Sequence, residues 1–263
     1  MAGEQEAPAA DPAARKSRAG RDLPAAIAVG VALAATVVLT LLYWHWGFVL
    51  LVTAMLTLGT IELHDALKRI GMNSAVIPIV VGTIAVICGS YAAATQEGNT
   101  ALPWHSVLLG FLGATTLAAL IWRMPGGSAG YVKDAAASLF TIGYIPLLGS
   151  FAGLILAADN GGAKMATTLL IVMGTDTGGY AVGARWGRHP MAPQISPKKT
   201  WEGMAGSVGL ATAVAIPLTV WWLDAAWWIG LLLALAIVAA GTCGDLIESL
   251  VKRDVGIKDM SSF

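Results

Sequence analysis

Residues 241–259, GTCGDLIESLVKRDVGIKD, gather acids and bases that the long apolar stretches before them lack. Asp245, Glu248, Ser249 and Lys252 recur at i, i+3, i+4 and i+7, so a helix presents all four on one face. The other face carries Leu246, Ile247, Leu250 and Val251. Acids and bases on one stripe beside a membrane suit a site that holds a divalent metal and a polyphosphate together. The plainer alternative is an amphipathic surface helix, with Glu248–Lys252 a pair worth roughly a few tenths of a kcal/mol. That alternative leaves Asp245, directly after Gly244, and the later Lys258–Asp259 pair without a purpose.

Two further places carry candidate chemistry. In Ser196-Pro197-Lys198-Lys199-Thr200-Trp201-Glu202-Gly203, Ser followed by Pro predicts an N-cap and the first helical residue. Free N–H groups at such a start, beside two lysines, make an anion site suited to phosphates. A solvated basic loop is the alternative. Asp176, in GTDTGGYAVG, falls late in an apolar segment. A carboxylate in hydrocarbon costs roughly 2.5–3.5 kcal/mol, so it must face protein or water. Gly174, Gly178, Gly179 and Gly183 permit close helix approach or local unwinding around it. An interfacial acid bonded to a neighbouring helix is the alternative here.

The elements that position these groups are membrane helices. Hydrophobic residues make up 56% of the chain and charged residues 12%, about half the usual charged share, which excludes an ordinary soluble domain. Apolar runs at 24–44, 47–63, 75–95, 103–122, 136–157, 164–184, 204–223 and 226–243 approach or reach the length of a bilayer crossing. Backbone groups in lipid must be satisfied within each segment, so the expected fold is an all-α polytopic membrane protein with about eight spans. A cytoplasmic amphipathic helix is expected at the C-terminal end.

With the N-terminus inside, every Lys and Arg except Lys164 falls on the cytoplasmic side, which places both charged C-terminal motifs there. Trp44, Trp46, Trp104, Trp221, Trp222, Trp227 and Trp228 cluster at the outer span ends as an aromatic belt. Residues 1–22 read as a disordered cytoplasmic tail, 23–135 as N-terminal spans and 136–263 as the catalytic region. Cys88, Cys243 and the four histidines have no ligand spacing, and no histidine is assigned a catalytic role.

Taken together, these blocks resemble the CDP-diacylglycerol synthases (phosphatidate cytidylyltransferases). Ser249, Lys252, Arg253, Lys258 and Asp259 match the first half of that family's signature in identity and spacing. Upstream, Asp176 with Tyr180, Gly183 with Gly187, Ser196 to Thr200 with Glu202-Gly203, and Gly244-Asp245-Leu246 match in order. The resemblance covers roughly residues 170–260; the earlier spans match it only in being apolar. The signature's Gly-His-Gly-Gly and Asp-Arg-x-x-Asp portion is not found in the sequence, which ends at Phe263. The expectation is therefore a chain cut within the signature, inactive as it stands, with a ninth helix to follow.

The resemblance implies that CTP and phosphatidate react to give CDP-diacylglycerol and pyrophosphate. It implies Mg2+ as cofactor, with room for a second metal ion. On that reading Asp245, Glu248 and Asp176 serve the metal, with Asp245, Lys252 and Asp259 central to catalysis. Ser196, Lys198, Lys199, Thr200, Glu202, Ser249, Arg253 and Lys258 bind substrate. A bacterial inner membrane is the expected location, no nucleic acid is expected as a partner, and a homodimer is left open. A related membrane nucleotidyl- or phosphotransferase on another lipid phosphate, or a multipass transporter with Asp176 on an ion path, are the rivals.

Overall fold

A computed structural model of the chain describes residues 23–96 and 102–257. Helices α1 (Leu23–Tyr43), α2 (His45–Arg69), α3 (Val76–Thr95) and α4 (Trp104–Arg123) come first. Then α5 (Tyr131–Ile142) runs through a wide π turn, Gly143–Leu147, into α6 (Leu148–Ala157). Next come α7 (Gly161–Trp186), strands β1 (Pro190–Ala192) and β2 (Ser196–Thr200), α8 (Trp201–Trp221) and α9 (Trp227–Asp254). Counting α5 to α6 as one rod gives eight rods among the described residues, joined mostly by short turns.

Six of these rods are long and apolar enough to cross a membrane: α2, α3, α4, α5–α6, α8 and α9. That corrects the expected eight by length and composition. Helix α1 is also apolar, over Ile27–Tyr43. In α7, threonines, glycines and Asp176 dilute the apolar sequence, and Gly174 and Gly178 are buried against α8.

Three local departures from the expected layout have physical causes. The π turn falls at Pro146, which has no N–H to give to the preceding turn, so the ladder widens there instead of breaking. The helix start predicted at Ser196 lies instead at Trp201: Ser196–Thr200 is a strand, and the Thr200 hydroxyl caps α8 by accepting from Gly203 N–H at 3.1 Å. The amphipathic stretch predicted after the last span is helical but not separate among the described residues. Gly241 and Gly244 are accommodated in the helix, and apolar span and charged stripe form one 28-residue rod, α9. The two strands also qualify the all-α expectation, although they are short.

The N-terminal rods are tied at their basic ends by a buried carboxylate. Asp134, at the start of α5, accepts from Asn73 N–H at 2.7 Å and from Arg123 Nε at 2.5 Å. Ser138, one turn on, accepts from Ala75 N–H at 2.9 Å, so α5 supplies the acceptors that the start of α3 needs. Core residues Leu63, Leu67, Ala137 and Ile145 pack beside these contacts, and Val251 of α9 rests against them. The last turns of α9 are thereby anchored to the N-terminal rods.

Candidate active site

The site is built by α7, α8, α9 and the hairpin. Glycine makes it possible. A Cβ on Gly178 would lie 2.4 Å from the Gly206 carbonyl oxygen, and one on Gly206 would lie 2.5 Å from that of Gly178. The two backbones therefore touch, as small-residue seams allow in membranes. Ser207 Oγ donates to the Thr175 carbonyl at 2.7 Å across the same seam. Of the two roles foreseen for the α7 glycines, the structure shows close approach, and α7 runs without unwinding. Below the seam, Ile171, Ala211, Ala215, Ala234 and Val238 form the core that ties α9 to this pair.

Above the seam lies a cavity of about 710 Å³. Asp176, Tyr180 and Gly183 line it from α7, Lys198, Lys199 and Thr200 from β2, and Thr242 and Asp245 from α9. Lys199 Nζ donates to Asp245 Oδ2, joining β2 to α9 across the opening. Lys198 and Asp176 have no ion pair among the described residues. Two carboxylates and two ammonium groups thus share one cavity at the basic end of the bundle.

The hairpin that carries the lysines is held at its root and its turn. Strands β1 and β2 pair antiparallel, Pro190 opposite Thr200 and Ala192 opposite Ser196. At the root, Glu202 Oε2 accepts from the backbone N–H groups of Arg188 and His189 at 3.1 and 3.2 Å. Its other oxygen meets His189 Nδ1 at 2.5 Å. At the turn, Arg253 Nε, from the end of α9, donates to the Ile195 carbonyl.

Of the residues singled out in the sequence, Asp176, Lys198, Lys199, Thr200 and Asp245 are brought together. Glu248, Ser249, Lys252 and Arg253 do not line the cavity. Glu248 pairs with Lys252 at 2.6 Å along α9, and Arg253 is turned to the hairpin. Ser196 and Glu202 sit at the hairpin's two ends, and Lys258 and Asp259 lie outside the described residues. Sequence reasoning passed over His189, whose partner is 13 residues away, and Thr242, which was legible as the i−3 neighbour of Asp245 on a helix.

No group of three or more His, Cys, Asp or Glu that could hold a metal gathers among the described residues. Magnesium does not require one. It keeps several waters and is bound through one or two carboxylates plus substrate phosphates. Asp176 from α7 and Asp245 from α9 both line the cavity and are carboxylates of this kind, and Asp245 already attracts a cation in Lys199.

The sequence matches the cytidylyltransferase family over residues 24–263, which extends the likeness from the charged blocks to the N-terminal helices. It is 35% identical to a phosphatidate cytidylyltransferase of Mycobacterium leprae (strain TN), over 92% of this chain and 80% of that protein. With the Mycobacterium bovis protein of the same name (strain ATCC BAA-935 / AF2122/97) it shares 35% identity, over 95% of this chain and 82% of the relative. A Staphylococcus saprophyticus phosphatidate cytidylyltransferase is 36% identical over 48% of each chain. With a match that takes in every wall of the cavity, this chain belongs to the cytidylyltransferase family.

Proposed function

We propose that the protein transfers the cytidylyl group of CTP to phosphatidate, giving CDP-diacylglycerol and pyrophosphate for phospholipid synthesis. The observation that carries this reading is the single cavity in which Asp176, Lys198, Lys199 and Asp245 meet at the basic end of membrane-spanning rods. A phosphate oxygen of phosphatidate attacks the α-phosphorus of CTP. The bond from that phosphorus to the bridging oxygen breaks, and its electron pair leaves with pyrophosphate. The attacking oxygen is already anionic near neutral pH, so no general base is needed. The obstacle is repulsion between two polyanions, and the protein's task is to neutralise charge and fix alignment.

Lys198 and Lys199 supply positive charge from β2, and the N-terminal end of the α8 dipole lies beside them. Asp245 and Asp176 would hold Mg2+, which when bound neutralises the triphosphate and orients it. Ser249 and Lys252 lie one and two turns beyond Asp245 on the same face of α9. The family resemblance gives these two, with Lys258 and Asp259, roles at the substrate phosphates. Glu202 and Arg253 hold the hairpin that presents the lysines. The basic end faces the cytoplasm of a bacterial inner membrane, where CTP is supplied and a lipid phosphate can enter sideways with its acyl chains still in the leaflet.

The test is incubation of the purified full-length protein with labelled CTP, phosphatidate and Mg2+. Labelled CDP-diacylglycerol is the expected product. Its absence under every divalent metal condition would overturn the reading.

A further inference from the structure

Asp245 is the one cavity carboxylate, among the described residues, that is neutralised by the protein itself. Lys199 reaches it from 46 residues away and from a different element. Asp176 on α7 and Lys198 next in sequence have no such ion pair among the described residues. Successive residues of a strand point to opposite sides, so only one of the two lysines can take this position. The contact is not sealed: the Asp245 side chain remains 58% exposed and that of Lys199 26%. The lysine therefore stands where a mobile cation would stand, on a side chain long enough to leave.

We propose that Lys199 is a tethered counter-cation that a divalent ion displaces from Asp245, the freed ammonium then passing to a nucleotide phosphate oxygen. The inference rests on the reading above that Asp245 holds the divalent ion. An ammonium and a divalent ion on one carboxylate repel each other, so they compete for it. Without nucleotide the displaced ammonium gains nothing, and the divalent ion binds weakly. With nucleotide present, the triphosphate takes up the ammonium and the ion together. Metal and nucleotide thus assist each other's binding, and the coupling is reciprocal. Lys199 then has two opposed effects: it weakens binding of the metal alone and strengthens binding of the nucleotide.

Mn2+ binding to the purified chain in detergent, read by electron paramagnetic resonance without nucleotide, separates the outcomes. Lys199→Met should tighten Mn2+ binding by roughly threefold or more, the scale of a part-exposed ion pair. Lys199→Arg, which keeps the charge, should bind Mn2+ as the parent does. Unchanged or weaker binding in Lys199→Met, with binding lost in Asp245→Asn, would overturn the exchange while leaving the metal assignment standing. Mn2+ binding retained in Asp245→Asn would overturn the assignment itself. A measurement on the unaltered chain makes the test independent of variant folding. The rate of Lys199 acetylation by acetic anhydride, followed by mass spectrometry, should rise over the Mn2+ range that saturates the resonance signal, with Lys68 as an unchanging reference. A flat Lys199 rate would count against the exchange.

Discussion

Gly178 and Gly206 lie in backbone contact, each occupying the space in which the other would need to place a side chain. The seam fixes the distance between the wall that carries Asp176 and the helix that Thr200 caps. Gly178→Ala must therefore push α7 and α8 apart, at a cost of about 1–3 kcal/mol. Thermal unfolding in detergent should show the loss, and turnover should fall with it. Gly209, on the same helix with nothing within 4 Å of a built Cβ, is the control. Gly209→Ala should leave stability equal or slightly higher, because alanine favours the helix.

Asp245→Asn should lower turnover by about 10²-fold or more while the protein still inserts into membranes, since a neutral amide holds neither a divalent ion nor Lys199. Near-normal turnover would remove Asp245 from the site. Lys199→Ala should reduce kcat/KM for CTP far more than Lys68→Ala, whose lysine is exposed at the end of α2. Equal effects would make the hairpin a generic basic loop.

Glu202 gathers two backbone N–H groups and an imidazole at the hairpin root. Glu202→Ala should free this root, raising hydrogen exchange across residues 188–200 and lowering kcat/KM roughly tenfold through misplaced lysines. A variant that lost activity with unchanged exchange would point to direct substrate contact instead.

Asp134 is buried, and it holds Arg123 and the α2–α3 turn at once. Asp134→Ala leaves Asn73 N–H without its acceptor and Arg123 without its partner, a loss of about 2–3 kcal/mol. Asp134→Asn, which can still accept, should lose less. Both values are read from unfolding midpoints of the membrane protein in one detergent.

Much of this site was legible because its parts obey local rules. Length and apolarity placed the rods, glycine spacing offered close approach as one of two roles at α7, and residue type marked Asp176, Lys199 and Asp245. Pairings across elements were not legible. Nothing in sequence spacing says that Lys199 meets Asp245, that Arg253 reaches Ile195, or that Glu202 turns back to His189. These depend on how the hairpin folds over α9. The hairpin was hidden for a related reason: Ser196-Pro197 satisfies a helix start as well as it satisfies an extended strand, and only the tertiary position of Thr200 decides between them. Continuity of α9 was missed because Gly241 and Gly244 look like a stop in a sequence that lacks neighbours.

Because α9 is one uninterrupted rod, it acts as a depth gauge. Trp227 and Trp228 begin it, and such rings settle at a membrane surface. Asp245 follows Trp227 by 18 positions, about 27 Å at helical rise, against a hydrocarbon thickness of about 30 Å. Anchoring one end at the far surface therefore sets the carboxylate at the level where phosphate headgroups begin on the near surface. On the proposed function, a lipid phosphate would meet it there without being lifted out of its leaflet.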